Sequence, residues 1–449
     1  MTPPAYTLAS APGALPLLGH TLALVRRPLE LVASLPAHGD LVRIRMGPHR
    51  AYVVCHPDLV HRVLTEDRTF DKGGPFYDKF REAAGDGISS CPASAHRRQR
   101  RLVQPAFHHT RLPGYAATMT REIAALTRHW HHGQVLDVPT EMSRLSAAVT
   151  AGCLFTLDST ALPGVFDSVT AISTSVARRV MLALPMADRI PTPANRRFAR
   201  ARAHLRELTE VLIADRRATG VHQDDLLSTL LTARDQDGRG LTDTEIHDQL
   251  VTFVIAGVET TACTLSWAWH LLGTRPDIRA RVQAEADAAL GGRTARYEDL
   301  PALGLTRRVV AETLRLYPPG WLITRRTTAD TELGGHHLPT GTTVVYSSYQ
   351  LHHRADLHPD PESFEPDRPH RGPKPAHGSL VPFGGGARKC LGETFALTET
   401  VLALASIAAH WQLRPVPGPR VRPSRRATLG PHRLTMRLHR RHATGALAG

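Results

Sequence analysis

The chain is poor in features that define several protein classes. No Cys-x-x-C pair occurs among its five cysteines, Cys55, Cys91, Cys153, Cys263 and Cys390. A secreted disulfide framework is therefore not expected, and a reducing, cytoplasmic setting fits better. No run of about 18 uncharged apolar residues is present, so no membrane span is expected. The amino terminus lacks a basic segment followed by an apolar one, so no secretory leader is expected either. Aromatic residues are only 5%, which leaves Leu, Val and Ala to fill most of the core. Acid is missing altogether from Thr400 to Gly449, where nine arginines stand.

What is present suits a large globular enzyme. Of 449 residues, 42% are hydrophobic, enough for a sizeable core. At roughly 150 residues per domain the length allows two or three. No linker or internal repeat divides the chain, however, and a single domain over 1–449 is expected. Residues 1–20 read as an extended lead-in and 442–449 as a disordered tail. The net charge is +14. Such an excess suits nucleic acid, an anionic surface or an acidic protein. No nucleic-acid-binding motif supports the first, and neither nucleic acid nor membrane is expected as a partner. The histidine clusters His129-Trp-His131-His132 and His352-His353 lack zinc-site spacing and read as surface histidines.

The hydrophobic pattern is mostly helical with a minor sheet. Leu41–Met46 and Ala51–Cys55 flank Gly47-Pro48 and read as a hairpin. Gly73, Gly74, Pro75, Gly85 and Gly87 mark a long irregular loop. Thr242-Asp-Thr-Glu245 is a capping box opening a helix that runs to about Gly273. Short strands follow Pro318-Pro319, and a last long helix covers about Leu391 to Trp411.

The chemistry concentrates just before that last helix, in Phe383-Gly-Gly-Gly386-Ala-Arg388-Lys-Cys390-Leu-Gly392. Glycines let a bulky planar group approach the backbone. Arg388 offers two-pronged pairing to a carboxylate. Cys390 stands where a helix begins, a position that favours the thiolate. Other cysteines, such as Cys55, Cys153 and Cys263, read as small buried hydrophobes.

This segment resembles the haem loop of the cytochrome P-450 family, Phe-x-x-Gly-x-Arg-x-Cys-x-Gly, at Phe383, Gly386, Arg388, Cys390 and Gly392. Further family motifs stand in the right order. Glu312-Thr-Leu-Arg315 matches the Glu-x-x-Arg helix, and Phe364-Glu-Pro-Asp-Arg368 matches Phe-x-Pro-x-Arg. Ala256-Gly257-Val-Glu259-Thr260 matches the oxygen-binding signature of the long helix. His96 and Arg100 stand where the family usually has Trp-x-x-x-Arg, with histidine replacing tryptophan.

The resemblance covers nearly the whole chain and implies the cytochrome P-450 fold. It implies haem b (iron protoporphyrin IX) held through Cys390, and dioxygen as co-substrate. Arg388, Arg100, His96 and Arg325 would meet haem carboxylates. Ala256 and Gly257 would lie over the haem, with Gly257 leaving room for dioxygen. Glu259 and Thr260 would deliver protons. Glu312, Arg315 and Arg368 would form a structural triad. Electrons would come from an acidic ferredoxin and a ferredoxin reductase, docking by Arg97, Arg98, Arg101 and Lys389.

The substrate pocket is expected to be lined by the 70–88 loop and by Val254, Ile255, Val258, Trp321, Leu322 and Ile323. All six named residues are apolar, so a hydrophobic substrate is expected. A narrower resemblance is to actinobacterial members that hydroxylate cyclic sesquiterpenes such as pentalenene, in one or successive steps, in terpenoid antibiotic biosynthesis. A fatty acid, polyketide or steroid-like substrate stays open. So does a haem-thiolate peroxygenase or isomerase needing no redox partner.

Overall fold

In a computed structural model of the chain, residues 6–157, 164–182, 188, 190–368, 378–424 and 427–441 are described. The expected tail over 442–449 lies outside them.

The helices are α1 (Thr21–Arg26), α2 (Pro28–Ser34), α3 (Pro57–Thr65), α4 (Pro75–Ala84), α5 (Ala93–Val103), α6 (Leu112–Arg128), α7 (Val138–Phe155), α8 (Val165–Leu182), α9 (Pro193–Thr219), α10 (Leu226–Thr232), α11 (Asp243–Thr274), α12 (Pro276–Leu290), α13 (Gly304–Leu316), α14 (Ser348–His352) and α15 (Glu393–His410). The strands are β1 (Leu8–Ser10), β2 (Leu41–Met46), β3 (His49–Val54), β4 (Phe70–Asp71), β5 (Val135–Asp137), β6 (Ile323–Thr327), β7 (Thr331–Leu333), β8 (His336–Leu338), β9 (Thr343–Tyr346), β10 (Trp411–Pro415) and β11 (Thr435–Arg440). The fold is mainly α with a minor β region.

One mixed sheet runs β1-β2-β3-β9-β6-β4, and smaller sheets run β10-β11-β5 and β7-β8. The expected hairpin is β2 and β3, antiparallel from Leu41↔Val54 to Met46↔His49.

Helix α11 is the axis of the core. Its capping box forms as read: the Glu245 N–H donates to Thr242 Oγ1 at 3.2 Å and the Thr242 N–H to Glu245 Oε2 at 2.8 Å. Leu250, Val254, Val258 and Leu265 are buried among neighbours from α7, α9, α13 and α15. A helix apolar all round belongs in a large core or a bilayer. By length and composition α11 is apolar enough to cross a membrane, but 78% of its most apolar stretch is buried inside the protein.

One expectation changes here. The glycine-rich 73–87 segment is not an irregular loop: α4 occupies Pro75–Ala84. Gly74 and Gly85 flank it with φ of +87° and +62°, and Pro75 opens it, so the glycines and proline bound a helix. The arginine-rich C-terminal stretch supplies two strands among the described residues. Arg414 lies in β10, Arg437 and Arg440 lie in β11, and Arg441 pairs with Asp287 at 2.7 Å.

Candidate active site

A cavity of about 380 Å³ lies between α11, α4, α8 and the segment that carries Cys390. The last is a closed loop. The Cys390 N–H donates to the Phe383 carbonyl at 2.9 Å, and the Lys389 N–H to Gly386 at 3.2 Å. Gly386 has φ +62°, and a Cβ there would run into the Leu64 carbonyl, so only glycine closes this turn. Gly392 caps α15. Cys390 is open, and it lines the cavity. The other four cysteines are buried. Burial pushes the Cys390 thiol up, Gly392 N–H, Lys72 and Arg100 pull against it, and Glu393 adds to the rise. The Gly392 N–H at the helix start lowers the thiol as expected, against that burial. Cys390 stands before the cap rather than in the first turn, and desolvation outweighs the dipole.

Two arginines tie this loop to the rest of the chain. Arg388 donates to Asp71 Oδ1 at 2.7 Å and to the Cys91 carbonyl at 2.9 Å. Arg100 donates to the Ala387 and Lys389 carbonyls at 3.1 and 2.8 Å. Behind them stands the ion network. Glu312 takes both prongs of Arg315 at 2.8 Å and one bond from Arg368 at 3.2 Å. Arg315 also donates to the carbonyls of His352, Pro361 and Ser363. The Val381 N–H donates to His352 Nε2 at 2.9 Å, and His352 Nδ1 lies 3.0 Å from the Arg315 carbonyl. The accepting Nε2 makes Nδ1 the donor. His352 thus links Arg315 to the strand of chain entering the Cys390 loop. Neither His352 nor the His353 side chain is at the surface; both are buried, which corrects the sequence reading.

The basic side chains converge. Lys72, His96, Arg100, Arg325 and Arg388 all line the cavity. Burial, Arg325 and Arg388 pull Lys72 down to about 7. Burial, then Arg388, Lys72, Arg100 and Arg325, push His96 down to about 3, so its ring is neutral and offers one N–H. Lys72 was missed because it sits in the glycine-rich segment read as loop.

On α11, Ala256, Gly257, Glu259 and Thr260 line the same cavity. The Thr260 hydroxyl donates to the Ala256 carbonyl at 2.6 Å, and the helix stays continuous. Gly257 also serves packing: a Cβ there would lie 2.7 Å from Thr150 Oγ1 on α7.

Of the six expected substrate contacts, Ile255, Leu322 and Ile323 line the cavity. Val254, Val258 and Trp321 do not. The two valines are buried in the main core, and Trp321 packs with Val32 and Leu429. Only one face of α11 meets the cavity, while the sequence is apolar on every face. Phe76 and Phe80 line it from the 70–88 segment, as a helix rather than a loop, and Ser173, Val176 and Phe253 line it unforeseen. Arg98 is also displaced from its expected role. It pairs with Asp235 at 2.7 Å and Glu245 at 2.8 Å, whereas Arg97 and Arg101 are exposed.

The family model for cytochrome P-450 matches residues 10–436. The chain belongs to the cytochrome P-450 family. It is 48% identical to cyclooctat-9-en-7-ol 5-monooxygenase of Streptomyces melanosporofaciens, covering 92% of this chain and 91% of that one. It is 46% identical to cyclooctatin synthase of the same organism, over 94% of each chain. To pentalenene oxygenase of Streptomyces avermitilis it is 44% identical, over 96% and 97%. As a cytochrome P-450 it is a monooxygenase, and family membership implies a haem-thiolate cofactor and the use of dioxygen.

Proposed function

We propose that this cytochrome P-450, a single domain, hydroxylates a cyclic terpenoid in the cavity under α11, with Cys390 as the iron ligand. The observation that carries this reading is one cavity lined by an open cysteine and five basic residues. Asp71 and Asp67 pair with Arg388 but leave the remaining positive charge uncompensated at the cavity wall. A planar group with two carboxylates suits that excess charge. Arg100, Arg325, Arg388, His96 and Lys72 would hold those carboxylates. Phe383, Gly386 and Gly392 shape the loop below, and Ala256 and Gly257 form the helix face above.

When bound there, haem supplies oxygen activation, favoured by electron donation from the thiolate. Glu259 would take up protons and hand them inward, and Thr260 Oγ1 would accept on its lone pair while releasing its own proton, now donated to the Ala256 carbonyl, to the cavity. Ile255, Leu322, Ile323 and Phe253 exclude water and orient an apolar skeleton. Glu312, Arg315 and Arg368 hold the backbone that carries the ligand loop and touch no substrate.

The relatives name the substrate class: two cyclooctatin enzymes and one pentalenene oxygenase. Similarity to the first two is at least as high as to the third, so the reading is cyclic terpenoids rather than sesquiterpenes alone. The test is spectral titration of the ferric holoenzyme with pentalenene and cyclooctat-9-en-7-ol. A shift from low to high spin with either supports the class; no shift with both, beside a shift with a long fatty acid, overturns it. Electrons from a ferredoxin would enter by Arg97 and Arg101. Arg97→Glu should slow reduction by ferredoxin severalfold and leave reduction by dithionite unchanged.

A further inference from the structure

Four buried hydroxyls among the described residues have no hydrogen-bond partner: Thr150, Ser173, Thr252 and Ser424. Thr150 and Thr252 are lodged against glycine backbone, at Gly257 and Gly87, and Ser424 lies over Gly430. Ser173 is not. It lies in the middle of α8, and it lines the cavity between Ile172 and Val176.

Thr150, Ser173 and Thr252 all lie inside helices, and of these three Ser173 alone is not set against a glycine. Hydroxyls buried in helices normally donate to the carbonyl four residues back. Thr209, Ser266, Thr313 and Thr400 do so here, at 2.6 to 3.0 Å. Ser173 Oγ makes no such bond and has no other protein partner. A buried polar group left so costs folding free energy unless something else satisfies it. The neighbouring wall is carbon: Phe76, Phe80, Ile172, Val176, Phe253 and Ile255. The principal neighbours of α8 are α4, α7, α9 and α11 rather than α15, so Ser173 belongs to the substrate wall and not to the thiolate side.

We propose that Ser173 holds an oxygen already present on the substrate. The enzyme then consumes the product of a reaction that leaves a hydroxyl or carbonyl on the ring skeleton, not a bare hydrocarbon. This deepens the terpenoid reading and rests on it. A staggered turn about χ1 carries the hydroxyl into the cavity, where it donates to or accepts from that oxygen. The skeleton is thereby fixed at a second point, away from the reacting carbon, which selects the position oxidised.

The test uses ferric holoenzyme and two matched pairs: cyclooctat-9-en-7-ol with its 7-deoxy hydrocarbon, and a hydroxylated pentalenene with pentalenene. In at least one pair the alcohol should bind about tenfold more tightly, a single hydrogen bond's worth. Ser173→Ala should erase that gap by weakening the alcohol alone. Equal binding of alcohol and hydrocarbon in both pairs overturns the proposal, as does a variant that weakens both partners alike. If no member of either pair binds, the terpenoid reading itself fails and takes the proposal with it. Heat stability gives an independent readout. Ser173→Ala without ligand should melt no lower than the parent, because the hydroxyl has no protein partner to lose; a drop of several degrees overturns the assignment.

Discussion

On the thiolate side of the cavity, Arg388, Arg100, Arg315 and Arg368 meet named oxygens at 2.7 to 3.2 Å. On the walls from α4, α8 and α11, contact is carbon on carbon. Phe76 stacks on Phe80 with centroids 6.0 Å apart, and Phe107 on Phe253 at 5.0 Å. The first side is specified by direction: each guanidinium has one place for its fork, and moving an oxygen breaks the bond. The second is specified by volume, which many side chains can fill. One side is thus suited to a fixed cofactor and the other to variation in substrate.

Replacing the ligand gives the largest expected effect. Cys390→Ser should abolish the thiolate signature in the carbon monoxide difference spectrum of the reduced protein. The fold should survive, since Arg100 and Arg388 bind loop and neighbouring backbone, not the sulfur. A retained thiolate spectrum would remove Cys390 from its assigned role and with it the contrast between the sides.

Next comes the ion network. Glu312→Gln leaves the buried Arg315 and the half-buried Arg368 without a compensating charge. Breaking such a pair costs about 3–5 kcal/mol. Thermal melting should show this as a loss of a large part of the folded protein's stability margin. A change under 1 kcal/mol would mean that the network behaves like surface ion pairs.

Glu399 on α15 is the exception on the charged side. It is fully buried, its Oε1 accepts from Ser146 at 2.9 Å, and burial pushes it up to about 8 despite that bond. Its folded value lies above the ordinary 4.5. Its contribution to stability is therefore fully present below that ordinary value and is lost as pH rises through about 8. By pH 7 the loss is on the order of 3 kcal/mol. Glu399→Gln should flatten the pH dependence, melting higher than the parent at alkaline pH and alike at acidic pH. Parallel profiles for the two proteins would refute this.

The smallest effects separate neighbours on α11. Val254→Ala should cost on the order of 2 kcal/mol of stability and leave substrate affinity unchanged, because Val254 is core. Ile255→Ala should do the reverse, weakening the spectral titration several-fold with less effect on melting, because it faces the cavity. If both variants alter affinity equally, the assignment of faces on α11 is wrong.

The sequence by itself determined the parts bound by local geometry. Glu312 and Arg315 are three residues apart on one helix turn, so their spacing survives in the string. The Phe383–Cys390 loop closes on itself, and the positive φ of Gly386 is a property of that turn. The capping box of α11 is likewise complete within four residues. Tertiary structure decided what depends on distant partners. Lys72 meets His96, Arg325 and Arg388 only in the folded chain, and Arg98 is drawn off the expected docking face by Asp235 and Glu245. It also decided which apolar residues of α11 see the cavity, because a helix buried on every side carries no amphipathic stripe to mark its inner face. The orphaned hydroxyl of Ser173 belongs to the same group: a missing bond is a property of the packed protein, and no residue pattern records it.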